Sequence, residues 1–319
     1  MRILITGAAG FIGSHLFERL AREQYRVIGY VRSGGNDTAE RVRKLDFLNN
    51  VSRTHPNASL IVGPNLGEVS RAIAEFSPTI CVHLAGRSSV RESLQNPGLY
   101  AAANGATTIE LLEILHRCAC KRFIHSSSVM VYGKDAPLPY REATLGSSPA
   151  SFYGASKLAT EALVNTWRAL HGMEAINLRL FSVYGPELRA DCVPHLIASA
   201  IRDDREFTLF GDGSSIRDYV EIDDVMRALE AAIGATWSAD FPLALNIGSG
   251  VGTSLIELVR KMEQGLNKKA RIVQKPALSA ELPAIVAGIE LARITLGWKP
   301  SVSLSDGITR MTEWFARTQ

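Results

Sequence analysis

The segment "ILITGAAGFIGSHL", Ile3 to Leu16, constrains this chain more than any other. An apolar run ends at Thr6, glycines follow at positions 7, 10 and 13, and an amphipathic pattern begins with Phe11 and Ile12. That order spells a strand, a tight turn and a helix. Gly7 permits the turn, Gly10 lets the backbone approach a pyrophosphate, and Gly13 lets helix and strand close together, so phosphates would sit at the positive end of the helix. A strand that feeds a helix through such a loop is one step of a helix-covered parallel sheet. The chain is therefore expected to be α/β and to bind a dinucleotide.

The rest of the pattern agrees. Short apolar runs read as strands at Arg2–Thr6, Arg26–Val31, Ser59–Val62, Ile80–Leu84, Arg122–Ser126, Ala175–Leu180 and Leu243–Ile247. Several are apolar throughout, as strands covered on both faces are. Helical patterns fall between them at Phe11–Arg22, Leu99–Cys118 and Phe152–Leu170. The fold class is a Rossmann-type, doubly wound parallel sheet with a smaller, discontinuous C-terminal lobe. The nucleotide-binding domain is expected at 1–183 plus about 217–250, and the substrate lobe at about 184–216 plus 251–319.

Bulk properties exclude other classes. Hydrophobic residues make up 46% and charged residues 21%, with a net charge of +3 and no polybasic run. Neither nucleic acid nor membrane is an expected partner. The first strand starts at Arg2, so no signal or transit peptide is expected and the location reads as cytoplasmic. Cys81, Cys118, Cys120 and Cys192 lack metal-ligand spacing and read as thiols in a reducing compartment.

About 20 residues beyond the glycines, an acid normally holds the adenosine ribose of NAD. This chain has Val31 there, followed by Arg32. A guanidinium suits a 2′-phosphate, with Ser33 and Asn36 as further donors, whereas Asp37 could fold back to the ribose. The cofactor reads as NADP, with NAD as the alternative.

The segments "HSSSVMVYG" and "SFYGASKLATE" carry the chemistry. Tyr153 and Lys157 are four apart in a helical stretch and share one face. A tyrosine is a poor base with its ordinary pKa near ~10, but a neighbouring ammonium favours the phenolate. Tyr153 then serves as acid and base for a hydroxyl whose carbon gives up a hydride. Lys157 would also bond the nicotinamide ribose, and Ser128 the same substrate oxygen as Tyr153.

With these motifs, and with "VHLAG", Asn104-Gly105, "LRLFSVYGP", "FGDGSSIRDYVEIDDV", "LNIGSG" and "LGWKPSVSLSDGI", nearly the whole chain resembles the extended short-chain dehydrogenases/reductases. Within them it resembles the NAD(P)-dependent nucleotide-sugar epimerases and dehydratases. The resemblance implies a catalytic set of Ser128, Tyr153 and Lys157. It implies cofactor contacts from Leu84, Ala85 and Gly86, from Ser126, Phe181 and Val183, and from Asn65 and Leu66 near the adenine. It also implies that Ser88, Ser89, Val90 and Ser182 face the sugar, and that Arg217 clamps the diphosphate. His83 reads as structural. No metal is implied. Family members pair through two helices, here Leu99–Cys118 and Phe152–Leu170, so a homodimer is expected; Leu111, Leu112, Leu115, Leu158, Ala162 and Val164 are candidates either for that interface or for ordinary core.

Two departures narrow the reaction. Dehydratases of this type carry a glutamate just after the catalytic serine, whereas this chain has Val129 and Met130. Between Lys275 and Arg293 it has Glu281 but no arginine to grip the nucleotide, and Ser182 replaces a common asparagine. What remains is redox chemistry at one carbon. The first reading is a nucleotide-sugar 4-epimerase and the second an NADPH-dependent ketoreductase. The third is a dinucleotide-binding protein without catalysis, and it sits poorly with an intact tyrosine and lysine.

Overall fold

The computed structural model describes residues 1–23, 25–34, 38–238, 240–277 and 282–317. Its elements begin with β1 (Arg2–Thr6), α1 (Phe11–Arg22), β2 (Arg26–Arg32), α2 (Ala39–Thr54), β3 (Ala58–Gly63) and α3 (Leu66–Phe76). Next come β4 (Ile80–His83), α4 (Val90–Gln95), α5 (Pro97–Tyr100), a π turn (Ala101–Ala106) and α6 (Thr107–Arg117). They are followed by β5 (Arg122–Ser128), α7 (Phe152–His171), β6 (Glu174–Leu180), β7 (Ser182–Tyr184) and α8 (Val193–Arg202). The remainder comprises β8 (Glu206–Phe210), β9 (Ile216–Glu221), α9 (Ile222–Gly234), β10 (Ala244–Ile247), β11 (Gly252–Ser254), α10 (Leu255–Leu266), β12 (Arg271–Lys275), α11 (Glu290–Leu296) and α12 (Leu304–Arg317).

The chain divides into two compact units, one made of Met1–Val131, Ser148–Arg179 and Ala232–Leu245, the other of Tyr132–Ser147, Leu180–Ala231 and Asn246–Gln319. The large sheet has strand order β10-β6-β5-β4-β1-β2-β3. β1 pairs in parallel with β2 on one side and β4 on the other, so the winding reverses between β1 and β4. That reversal leaves a crevice beyond the carboxyl ends of the two strands. Strands β1 and β4 are almost wholly buried, and the continuous apolar runs in the sequence reflect that. A core of Leu4, Ile28, Leu66, Ile73, Leu111, Leu115, Phe123 and Val164 fixes α3, α6 and α7 on the sheet.

The helix read at Leu99–Cys118 is interrupted. The Asn104 carbonyl accepts from the Thr108 hydroxyl (2.6 Å) one turn on and from the Thr160 hydroxyl (3.1 Å) of α7, so two side chains, one of them from another helix, occupy an acceptor that a regular helix uses itself. The backbone widens by one residue there, and the Asn104 side chain turns inward.

In the second unit β7, β9 and β11 form one small sheet, and β8 and β12 another. The buried Asp218 carboxylate accepts from the backbone N–H groups of Ser249 (2.6 Å), Gly250 (2.9 Å) and Ala287 (3.0 Å). One side chain thereby holds two distant loops.

Candidate functional site

The crevice is a cleft of about 540 Å³ lined at one end by Gly7, Ala9 and Gly10, and across from them by Leu84, Ala85, Gly86 and Arg87. The volume is that of a small-molecule site. Gly7 has φ +74, and a Cβ on it would lie 2.7 Å from Ala85 N. A Cβ on Gly13 would lie 2.1 Å from Gly7 O, so this glycine admits the turn itself as well as the helix. These absent side chains leave a cradle of bare backbone at the α1 N-terminus, where Phe11 is buried and Ile12 half-buried. That is the fit a dinucleotide diphosphate requires.

At the other end the cleft is lined by Tyr30, Val31, Arg32, Thr38, Glu40, Arg41, Lys44, Asn65 and Leu66. Val31 is buried and Arg32 exposed. Arg41 donates to the Arg32 carbonyl, which ties α2 to the end of β2. Lys44 is buried and donates to Ser14 Oγ (2.9 Å) in α1. Ser33 N–H is taken by the Gly63 carbonyl (2.8 Å). Asn65 is the N-cap of α3, its Oδ1 accepting from Glu68 N–H (2.9 Å). Asn36, Asp37 and Glu281 lie outside the described residues. The sequence reading missed Arg41 and Lys44, whose approach to the cleft depends on α2 folding back.

Beyond β4, Asn104 from the π turn fixes the cleft wall. Its Oδ1 accepts from Arg87 N–H (2.8 Å), and its Nδ2 donates to Ser156 Oγ (2.9 Å) in α7. Ser89 caps α4 by accepting from Glu92 N–H (3.2 Å), with Val90 the first residue of that helix and Ser88 just before it. Glu92 accepts from Arg87 (2.6 Å) and from the Tyr100 hydroxyl (2.8 Å). Burial, reinforced by that carboxylate, pushes Tyr100 up to about 12, which keeps it a neutral donor. Its ring meets the Tyr153 ring edge-on at 6.2 Å.

Ser128, Tyr153 and Lys157 are all buried in the first unit. A Cβ on Gly154 would clash with Met130 O at 2.1 Å, so the first turn of α7 lies directly on the segment after Ser128. Ser128 Oγ accepts from Met130 N–H (3.2 Å), which leaves its hydroxyl proton to donate. Lys157 Nζ donates to the Ser126 carbonyl (2.7 Å), and a Cβ on Gly86 would lie 3.5 Å from it. The ammonium therefore stands beside the cleft wall. Burial lowers Lys157 to about 8, against the pull of Glu161 one turn further on. His83 is held between Thr6 Oγ1 (2.6 Å) and Thr108 Oγ1 (2.9 Å), and burial lowers it to about 3, so it remains neutral.

Phe181, Ser182, Val183 and Arg217 lie in the second unit. Ser182 and Val183 belong to β7, paired with Tyr219 and Val220 of β9, and Arg217 Nη1 donates to Ile216 O (2.8 Å). Of the apolar residues open to either a dimer interface or ordinary core, Leu111, Leu112, Leu115 and Val164 belong to the interior core. They are the sheet-facing stripes of α6 and α7, and the periodicity that marks an apolar stripe does not say which surface covers it.

A family model for the NAD dependent epimerase/dehydratase family matches residues 3–248. A UDP-glucose 4-epimerase of Mycolicibacterium smegmatis is 32% identical, over 99% of this chain and 98% of its own. A probable UDP-glucuronate 4-epimerase of Rhizobium meliloti is 28% identical, over 99% and 98%. Among solved structures, the UDP-glucuronic acid 4-epimerase of Bacillus cereus in complex with UDP-glucuronic acid and NAD superposes with a TM-score of 0.89 at 30% identity, covering 100% of both chains. The UDP-glucose 4-epimerase of Thermotoga maritima with UDP-glucose gives 0.88 at 29% identity, covering 100% of this chain and 99% of that one.

Proposed function

The chain belongs to the NAD-dependent epimerase/dehydratase family, and from that premise we propose that it is a UDP-sugar 4-epimerase. One observation carries the choice within the family: Ser128, Tyr153 and Lys157 are intact, while the residues after Ser128 are Val129 and Met130. The site has the groups to oxidise a hydroxyl and no carboxylic acid at that place to drive elimination.

Bound in the cleft, a nicotinamide dinucleotide supplies reversible hydride acceptance. Tyr153 removes the proton of the sugar 4-hydroxyl and later returns it. Ser128 donates to the same oxygen, which stabilises the charge developing there. Lys157 keeps positive charge beside Tyr153 and so favours the phenolate. Arg217 is assigned to the diphosphate, whose single bonds let the keto-sugar turn its other face to the site. Ser88, Ser89, Val90 and Ser182 are assigned to the sugar, and Ser126, Phe181 and Val183 to the nicotinamide side.

For the adenosine end we infer NADP over NAD. Support comes from Arg32, Arg41 and Lys44 converging on the cleft where Val31 stands in place of an acid near the end of β2, with Glu40 and Glu110 the opposing charges. The same reading makes the enzyme a cytoplasmic homodimer. Support for the homodimer is the exposed Leu163 and Leu170 on α7.

The test is to incubate the protein with UDP-glucuronate and, separately, UDP-glucose while following H4 by NMR. Conversion to the C4 epimer with no net change in nicotinamide is expected. Inert behaviour toward every UDP-hexose and UDP-hexuronate would overturn the reading. Denaturing the enzyme and weighing the nucleotide it releases decides between NADP and NAD. Net consumption of NADPH with a keto substrate would instead make the enzyme a reductase.

A further inference from the structure

Lys157 has a neighbour, the first residue of "HSSSVMVYG", to which neither the sequence nor the family resemblance gives a role. His125 lies in β5, fully buried, with Nε2 3.5 Å from Lys157 Nζ and Nδ1 2.8 Å from Asn177 Oδ1 in β6. The hydrogens in this chain of contacts follow from the far end. Asn177 Nδ2 donates to Asn165 Oδ1 (2.9 Å) and to the Leu243 carbonyl (3.0 Å). The amide nitrogen therefore faces away from His125, and the amide oxygen must accept from it. Nδ1 carries the proton, and Nε2 turns its lone pair toward the lysine.

We propose that His125 is the positioning residue for the catalytic ammonium: held by Asn177 in one tautomer, it offers Lys157 a second, neutral acceptor beside the Ser126 carbonyl. Two of the three N–H groups are thus spent on β5, one on the strand backbone and one on a side chain. The third is left toward Gly86 and the cleft, where a ribose hydroxyl would meet it. The inference rests on the reading that Lys157 is catalytic.

The acceptor has to be one that cannot become a cation. Burial, with Lys157 next to it, lowers His125 well below the ordinary histidine range. The other groups around Lys157 leave this role to His125. Glu161 on α7 is engaged by Arg179 and Ser127, His83 is engaged by two threonines, and Tyr153 on the preceding turn is the group being served. A carboxylate in place of His125 would bind the ammonium harder but would also cancel the charge that Tyr153 needs.

The test uses the full-length, cofactor-free protein labelled with ¹³Cε-lysine, with the Lys157 signal assigned through Lys157→Met. Its titration midpoint is followed by NMR in His125→Phe, which keeps bulk without an acceptor, and in His125→Gln, which restores one. Removing the acceptor disfavours the charged form, so His125→Phe is expected to lower the midpoint by about one pH unit, with His125→Gln close to wild type. With UDP-sugar, kcat should fall about tenfold in His125→Phe at unchanged KM and recover in His125→Gln. Should His125→Phe fail to fold, His125→Asn takes its place, since it reaches Asn177 but not Lys157. An unchanged midpoint in the acceptor-less variant, or a glutamine variant that behaves like it, would overturn the proposal. If the titrations behave as expected while no UDP-sugar is turned over, the reaction reading fails and the positioning role stands.

Discussion

One turn of α7 separates two buried charges that the protein treats in opposite ways. Glu161 accepts from Arg179 through Nη2 (2.8 Å) and Nε (3.0 Å), and from Ser127 Oγ (2.5 Å). Both members of that ion pair are nearly inaccessible, at 4% and 5% side-chain exposure. Lys157, no less buried, is given a carbonyl and a neutral imidazole in place of a counter-ion. A charge that only holds the fold is saturated by its opposite. The charge that we propose acts at the reacting centre is fixed in place by neutral acceptors, so its field is not cancelled and its proton affinity stays within reach of working pH.

The comparison breaks most readily at its active member. Tyr153→Phe is expected to lower kcat about 10³-fold, roughly 4 kcal/mol, with cofactor binding and melting temperature retained. Turnover within tenfold of wild type would remove Tyr153 from the mechanism. At the other charge, Glu161→Gln strands a buried guanidinium and should cost about 3 kcal/mol of stability in urea titration. Lys157→Met, by contrast, should abolish activity without loss of stability, because it removes a charge that has no counter-ion. If both substitutions destabilised alike, the two sites would not differ in kind.

A smaller effect tests the adenosine end: Arg32→Ala should weaken NADP about tenfold and leave NAD unchanged, as isothermal titration would report. The smallest is a pH effect of opposite sign on activity and stability. Lys157 is lowered to about 8 from 10.5. Below the lower value it is charged in both folded and unfolded chains. Between the two, the unfolded chain holds a proton that the folded one lacks, so this group adds stability as pH rises. Activity should instead decline several-fold above about 8 as the ammonium is lost. A Lys157→Met control in thermal melts from pH 7.5 to 10 isolates the stability contribution.

Much of this was written in the chain. The strand Arg2–Thr6 and the helix Phe11–Arg22 have the boundaries that the apolar run and the glycines prescribe. The serine run and the tyrosine–lysine spacing marked Ser128, Tyr153 and Lys157, the residues to which we propose to give the chemistry. What escaped depended on partners far away in sequence. Arg41 and Lys44 reach the cleft only because α2 packs beside α1, and nothing in "ERVRKLDF" distinguishes a lining cation from a solvated one. His125 sits in a run that reads as plain strand, and its tautomer is set by Asn177 on the next strand. The break in the Leu99–Cys118 helix was invisible for the same reason: "AAANGA" is unremarkable for a helix until a threonine from α7 takes one of its carbonyls.

That π turn has a consequence for how the segment tolerates change. Its exposed positions, Ala101, Ala102 and Ala106, carry small side chains that other residues could replace. Its length is another matter. Each residue of a helix advances the chain by about 100°, so losing one here would swing Tyr100 and α5 around relative to α6. Tyr100 would leave the Tyr153 ring, or Asn104 would leave the wall at Arg87. For these six positions, then, an inserted or deleted codon is a far graver lesion than an altered one, and the segment's length should vary less among working versions of the enzyme than its letters do.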